Sequence, residues 1–212
     1  GRLEARLRDE RIALKYRMIG QETNGLGGFS NACRTIPIAL EIAKEMEALC
    51  PNAWLLNFTN PSGMVTEALL KHSSIKTVGL CNVPVNMELG AAKMLGAKRE
   101  DITIQIAGLN HLVWARKVLH EGQDKLGEVI NQLLGGNDQM MPKNIPPFEW
   151  DGELIRSLNL VPCAYLRYYY QSRDILDKEF SASENSTNRA DLVAKVEQQL
   201  LEIYKDPMLD TK

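Results

Sequence analysis

Ala53-Trp54-Leu55-Leu56-Asn57-Phe58 is a short apolar run that ends in the turn residues Thr59-Asn60-Pro61. A helical pattern follows, with Met64, Val65, Ala68 and Leu69 on one face and Ser62 as its expected cap. Next comes a second short run, Lys76-Thr77-Val78-Gly79-Leu80, closed by Cys81. Strand, helix and strand in that order predict a parallel pair with a helical crossover. Upstream, Leu3 to about Arg17 reads as an arginine-rich helix and Gly20 to Gly28 as a turn-rich loop. A helix is expected from about Arg34 to Leu49, with Ile38, Ile42, Met46 and Leu49 at helical spacing and Pro51 as its stop. Downstream, a helix over about Val85 to Leu95 ends at Gly96, and a strand runs over 102–108 towards Asn110 and His111. The alternation predicts an α/β fold with a doubly wound, parallel sheet. The apolar stretch Leu112–Leu119 is where the chain can reverse and leave the parallel pattern.

The second half reads differently. Gly135-Gly136-Asn137-Asp138, with Pro142, Pro146 and Pro147, marks residues 125–148 as irregular. Two helices are expected at about 164–180 and 188–204, joined by the polar stretch Ser181–Asn188, with Thr187 or Asn188 as a cap. A net charge of −2 gives no support for nucleic-acid or membrane binding. No apolar run approaches the ~20 residues of a membrane span. Four dispersed cysteines without CxxC spacing point to free thiols and to the cytoplasm. Both ends read as cut, so a piece of a longer protein is expected.

Ligands of open α/β sheets gather at the carboxyl ends of strands. Cys81 and His111 are therefore expected at the ends of neighbouring strands, facing one crevice together with a buried amide at the end of the run 53–58. Each alone reads as structural, since free cysteine is among the most buried residue types. Together they form a Cys/His metal pair that leaves coordination positions open for substrate oxygens. Asn60-Pro61 reads either as turn chemistry or as a clamp for a substrate hydroxyl. Tyr165, Tyr168 and Tyr169 share one helical face. Arg167 is an anion contact or a surface charge. Arg6, Arg8 and Arg11 crowd one helix, and Glu22 sits in the glycine-rich loop. Cys33, Cys50, Cys163, His72 and His120 show no partner pattern and read as structural.

An ordered set of motifs carries a family resemblance. It comprises Leu3-Glu4-Ala5-Arg6, Gly20-Gln21-Glu22-Thr23-Asn24-Gly25, Asn57-Phe58-Thr59-Asn60-Pro61, Gly79-Leu80-Cys81-Asn82-Val83-Pro84, Gly108-Leu109-Asn110-His111 and Tyr165-Leu166-Arg167-Tyr168-Tyr169. Over nearly the whole chain it resembles glycoside hydrolase family 4, the NAD- and metal-dependent glycosidases, and most of all the bacterial 6-phospho-β-glucosidases. The family departs from the usual two-carboxylate rule for glycosidases. The resemblance implies oxidation at C3 by NAD⁺, removal of the C2 proton, elimination of the glycosidic oxygen, addition of water and return of the hydride. By position, it implies Cys81 and His111 as ligands of Mn²⁺, Tyr165 as the C2 base and Glu22 as its neighbour. Arg6 and Asn60 are implied to hold the substrate, a phosphorylated β-glucoside such as cellobiose 6-phosphate. Asn82 stands where α-specific members commonly carry an acidic Asp.

The resemblance also implies a partial Rossmann-like domain over residues 1–111, akin to lactate and malate dehydrogenases. It would lack the glycine-rich nucleotide-binding strands. Part of the substrate and catalytic domain follows over 112–212. The isolated chain is expected to be inactive, and the intact protein to be a dimer or tetramer. Two alternatives stand beside this: a lactate- or malate-type dehydrogenase using a His–Asp pair without metal, and an inactive fragment.

Overall fold

The computed structural model describes residues 3–21, 23–140, 148–184 and 189–205. Its contacts form two compact units, Gly1–Gly79 with Gln171–Lys212, and Leu80–Tyr170.

The first unit opens with helices α1 (Leu3–Lys15) and α2 (Gly25–Leu49). Strand β1 (Trp54–Asn57), helix α3 (Ser62–His72) and strand β2 (Lys76–Gly79) follow. β1 and β2 pair in parallel, from Trp54 opposite Lys76 to Asn57 opposite Gly79, with α3 as the crossover. Ala43, Val65 and Leu69 are its buried core cluster, with Ile36, Ala39, Leu40 and Leu55 packed against them. A Cβ on Gly79 would lie 2.3 Å from the Thr66 hydroxyl, so the strand can approach α3 only through a glycine.

Two expectations fail in this unit. α2 begins at Gly25, not near Arg34, and carries Pro37 inside it. Its glycines are packing residues: a Cβ on Gly27 would sit 2.4 Å from the Gly20 carbonyl, and one on Gly28 2.4 Å from that of Thr23. Ser62 does not cap α3. It is the buried first residue of the helix, and the cap position falls on Pro61.

The second unit starts with α4 (Val83–Leu95), which closes on Gly96 in the left-handed conformation (φ 64°). A 3-10 turn (Arg99–Asp101) leads into β3 (Ile102–Leu109), β4 (Leu112–His120) and β5 (Gln123–Asp124). Then come α5 (Leu126–Leu134), α6 (Gly152–Leu158), β6 (Val161–Pro162), a 3-10 turn (Ala164–Leu166) and α7 (Arg167–Tyr170). β3 and β4 pair antiparallel from Ile102 opposite His120 to Leu109 opposite Leu112. β6 joins the other edge of β4, Val161 opposite Ala115 and Pro162 opposite Trp114. α4 and α5 contribute Met87, Ala91, Val129 and Ile130 to a core completed by Ala115, Val118, Val161 and Cys163.

β3 therefore does not extend the parallel pair. Among the described strands its neighbour is β4, because a two-residue connection can join only antiparallel strands. Residues 126–134 are helical rather than irregular. Leu126, Val129, Ile130 and Leu133 are buried at the spacing of one helical stripe. Pro142, Pro146 and Pro147 lie outside the described residues.

The chain finishes in the first unit with α8 (Ser172–Glu184) and α9 (Arg189–Tyr204). The single helix expected over 164–180 is thus three pieces: a 3-10 turn, α7 and α8. Thr187 and Asn188 lie outside the described residues. No described helix is long and apolar enough to cross a membrane.

Candidate active site

Asn110 and His111 form the connection between β3 and β4. His111 is buried and adopts φ 60°, the left-handed region that side-chain-bearing residues enter at a cost of about 1–3 kcal/mol. Gly108 makes the tight approach feasible: at φ 128°, a Cβ there would meet the Leu112 carbonyl at 2.1 Å. Cys81 lies between β2 and α4, directly before the cap residue Asn82. Its Sγ stands 3.4 Å from His111 Nε2. Neighbouring strand ends are expected for the two residues; Cys81 instead lies on a strand-to-helix turn and His111 at a hairpin tip, after strands that do not pair with each other.

That separation fits a shared metal. With zinc-like bonds of about 2.3 Å to sulfur and about 2.1 Å to nitrogen, one ion could reach both atoms. Burial lowers the His111 pKa to about 4, so the imidazole is neutral near pH 7, the form that ligates. Its buried Nδ1 has no hydrogen-bond partner among the described residues. Among the described residues His111 therefore has no Asp partner of the dehydrogenase kind. No cluster of three or more His, Cys, Asp or Glu occurs among the described residues.

Tyr165 lies flat on the His111 ring, centroids 3.7 Å apart and planes 7° from parallel. It sits in the 3-10 turn rather than on a helical face shared with Tyr168 and Tyr169, although its ring still meets Tyr168 at 6.3 Å. Arg167 is no surface charge. It is buried, with its guanidinium 5.4 Å from the Phe148 ring and 5.1 Å from that of Tyr168, and its Nη2 donates to the Tyr168 hydroxyl at 3.3 Å.

One residue here was invisible as a site residue in the sequence. Cys163 is fully buried, and its thiol donates to the His111 carbonyl oxygen at 3.7 Å. Burial pushes this thiol up from its ordinary value. Cys33, Cys50 and Cys81 are also free.

Arg6 and Asn60 share a cleft of about 370 Å³ in the first unit, with Asp9, Asn31, Arg34 and Thr59 in its wall. Asn31 Nδ2 donates to the Asn60 carbonyl at 2.9 Å. Arg34 pairs with the buried Asp9 carboxylate through both terminal nitrogens. The Asn60 side of the turn is exposed, not buried. The buried amide is Asn57, which donates to Thr66 Oγ1 (2.9 Å) and Ser62 O (3.3 Å) and accepts from Thr59 N (3.1 Å). Glu22 lies outside the described residues. Beside it, buried Gln21 accepts from the backbone N–H groups of Thr23 and Asn24, each at 2.6 Å.

Two family models match this chain in sequence: "Family 4 glycosyl hydrolase" over residues 1–97 and "Family 4 glycosyl hydrolase C-terminal domain" over 106–212. The chain belongs to the family 4 glycosyl hydrolases. Within the family it is 50% identical to a probable 6-phospho-beta-glucosidase of Bacillus subtilis, over 100% of this chain and 48% of that protein. It is 44% identical to a 6-phospho-beta-glucosidase of Escherichia coli, over 100% and 48%. In structure it is similar to the Thermotoga maritima 6-phospho-beta glucosidase solved with manganese, NAD+ and glucose-6-phosphate. There the TM-score is 0.81 at 36% identity, over 100% of this chain and 50% of that one. A family 4 hydrolase of this length spans about half of the relatives it matches.

Proposed function

We propose that this chain is part of an NAD- and divalent-metal-dependent 6-phospho-β-glucosidase that cleaves β-linked glucosides such as cellobiose 6-phosphate. The observation that carries the proposal is the convergence of Cys81 Sγ and His111 Nε2 to 3.4 Å with Tyr165 stacked on the same imidazole. The Thermotoga maritima relative solved with manganese, NAD+ and glucose-6-phosphate supports the choice of cofactors and of a phosphorylated glucose unit.

When bound, NAD supplies a hydride acceptor for the sugar C3 and the metal a Lewis acid for its hydroxyl oxygens. The remaining work falls to this chain. Cys81 and His111 would hold the metal, Mn²⁺ or a similar divalent ion. Tyr165, as its phenolate, takes the C2 proton at the phenolic oxygen, and the family resemblance assigns Glu22 to raise its basicity. Arg6 and Asn60 hold the sugar. Asn82 offers no acid next to Cys81, which favours a β-linked substrate. Residues 1–111 would belong to the nucleotide-binding domain and 112–212 to the substrate domain of a cytoplasmic homo-oligomer.

The test is turnover of cellobiose 6-phosphate by the intact protein that carries this segment. Activity should require both NAD⁺ and a divalent metal, and in D₂O the glucose 6-phosphate released should carry deuterium at C2. Turnover without NAD⁺, or a product with no C2 exchange, would sink the proposal.

A further inference from the structure

The segment Val161–Leu166 touches His111 twice. From Cys163, the thiol donates to the His111 carbonyl oxygen at 3.7 Å; a carbonyl can only accept, so the thiol hydrogen is the one shared. Two residues on, the Tyr165 ring covers the imidazole. The segment itself is anchored. Val161 and Pro162 pair with Ala115 and Trp114, and the Cys163 N–H donates to the Val113 carbonyl at 3.1 Å. His111 needs such a grip, because it is a buried residue held at φ 60°. A strained conformation of this kind persists only where its surroundings over-determine it.

We infer that Cys163 is a positioning residue for the metal site: its thiol holds the His111 backbone in the left-handed conformation that turns Nε2 towards Cys81. The inference rests on the proposed metal role of Cys81 and His111. The contact Cys163 makes is with the backbone carbonyl of His111 rather than with its ring. Because Tyr165 rides on the same short segment, the grip sets ligand and base from one anchor. Loosening it alters both the direction of the imidazole and the ring stacked upon it.

The test compares Cys163→Ser, which keeps a donor, with Cys163→Val and Cys163→Ala, which do not, all in the intact protein. Mn²⁺ affinity is read from the loss of the free-ion EPR signal on titration, and NAD⁺ affinity is measured alongside as a control for folding. Loss of an outer partner of a metal ligand typically weakens binding about tenfold or more. Val and Ala variants should bind Mn²⁺ about tenfold more weakly, with NAD⁺ affinity unchanged, and Cys163→Ser should recover part of the difference. Should Cys163→Val fail to fold, the comparison of Ser with Ala decides in the same way. Wild-type Mn²⁺ affinity in the donor-less variants overturns the inference. Cys81→Ala separates the two levels: if it also binds Mn²⁺ as the wild type does, the metal site is misassigned. If it loses Mn²⁺ while Cys163→Ala keeps it, only the role of Cys163 is wrong.

Discussion

His111 combines three properties that a packing residue does not need together: burial, a left-handed backbone and a ring edge facing a thiol at 3.4 Å. Tyr165 adds a hydroxyl-bearing ring on its face. Removing that hydroxyl should remove the proposed C2 proton acceptor and nothing else. Tyr165→Phe in the intact protein is expected to lower kcat by about 10²–10⁴ with Mn²⁺ affinity unchanged, as a steady-state assay beside a metal titration would show. A loss of Mn²⁺ binding instead would make Tyr165 a structural support of the ligand. Gln21 is a second single-residue case. Its buried amide oxygen accepts two backbone N–H groups in the loop ahead of α2. Gln21→Ala leaves both without that acceptor and should cost about 1–3 kcal/mol, measured by urea unfolding. Cys81, His111, Asn60 and Tyr165 could be picked out of the sequence because each sits in a motif or at a strand end. Cys163, Asp9 and Arg34 could not: their partners are distant in the chain, and no spacing rule links them.

At the scale of elements, the β1–α3–β2 crossover was legible because apolar runs of strand length flank a helical stripe. The start of α2 was not, since Gly25, Gly27 and Gly28 serve close backbone contacts there while looking like turn residues. α5 was hidden by the same habit: nearby glycines and prolines outweighed a clear stripe at 126, 129, 130 and 133. α6 has a cap that can be tested. Asp151 Oδ1 accepts from the N–H groups of Glu153 (2.9 Å) and Leu154 (3.1 Å). Asp151→Ala should cost about 1 kcal/mol, seen as a lower midpoint in urea, and an unchanged midpoint would mean that water replaces the cap fully. The junction of α2 with the end of α3 should respond to pH. Glu47 accepts the Ser74 N–H and hydroxyl, and first the N–H and then the hydroxyl hold its carboxyl below the ordinary glutamate range. A folded-state pKa below the unfolded one means that the contribution is present above about pH 4.3 and fades as pH falls through the folded value. Glu47→Ala should therefore lower Tm at pH 7, with the gap closing in acid. A gap that persists in acid would trace to packing rather than to charge.

The two compact units of the molecule differ in what they bury. The unit Leu80–Tyr170 surrounds β4 with a continuous cluster that runs from Val83 and Met87 through Val118 and Val129 to Leu166. In the other unit the buried cluster is small, Ala43, Val65 and Leu69, while Trp54, Leu56 and Phe58 remain exposed along β1 and the turn after it. Opening free energy follows buried apolar contact, so local stability should be uneven. Hydrogen exchange on this chain should find the slowest amides in β4, at Val113, Ala115 and Val118. Amides of α9, whose Leu192, Val196, Leu200 and Leu201 are exposed, should exchange far sooner. In urea, protection of β1 and β2 should then vanish at lower denaturant than that of β3 and β4. Of the candidate residues, Arg6 and Asn60 belong to the first unit and Cys81, His111 and Tyr165 to the second. If Cys81 and His111 are the metal ligands, metal binding should survive at urea concentrations that have already released the β1–β2 amides, because both residues belong to the unit expected to open last. Loss of Mn²⁺ in step with β1 and β2 would show instead that the two units open as one, and that the ligand pair draws its rigidity from the whole chain.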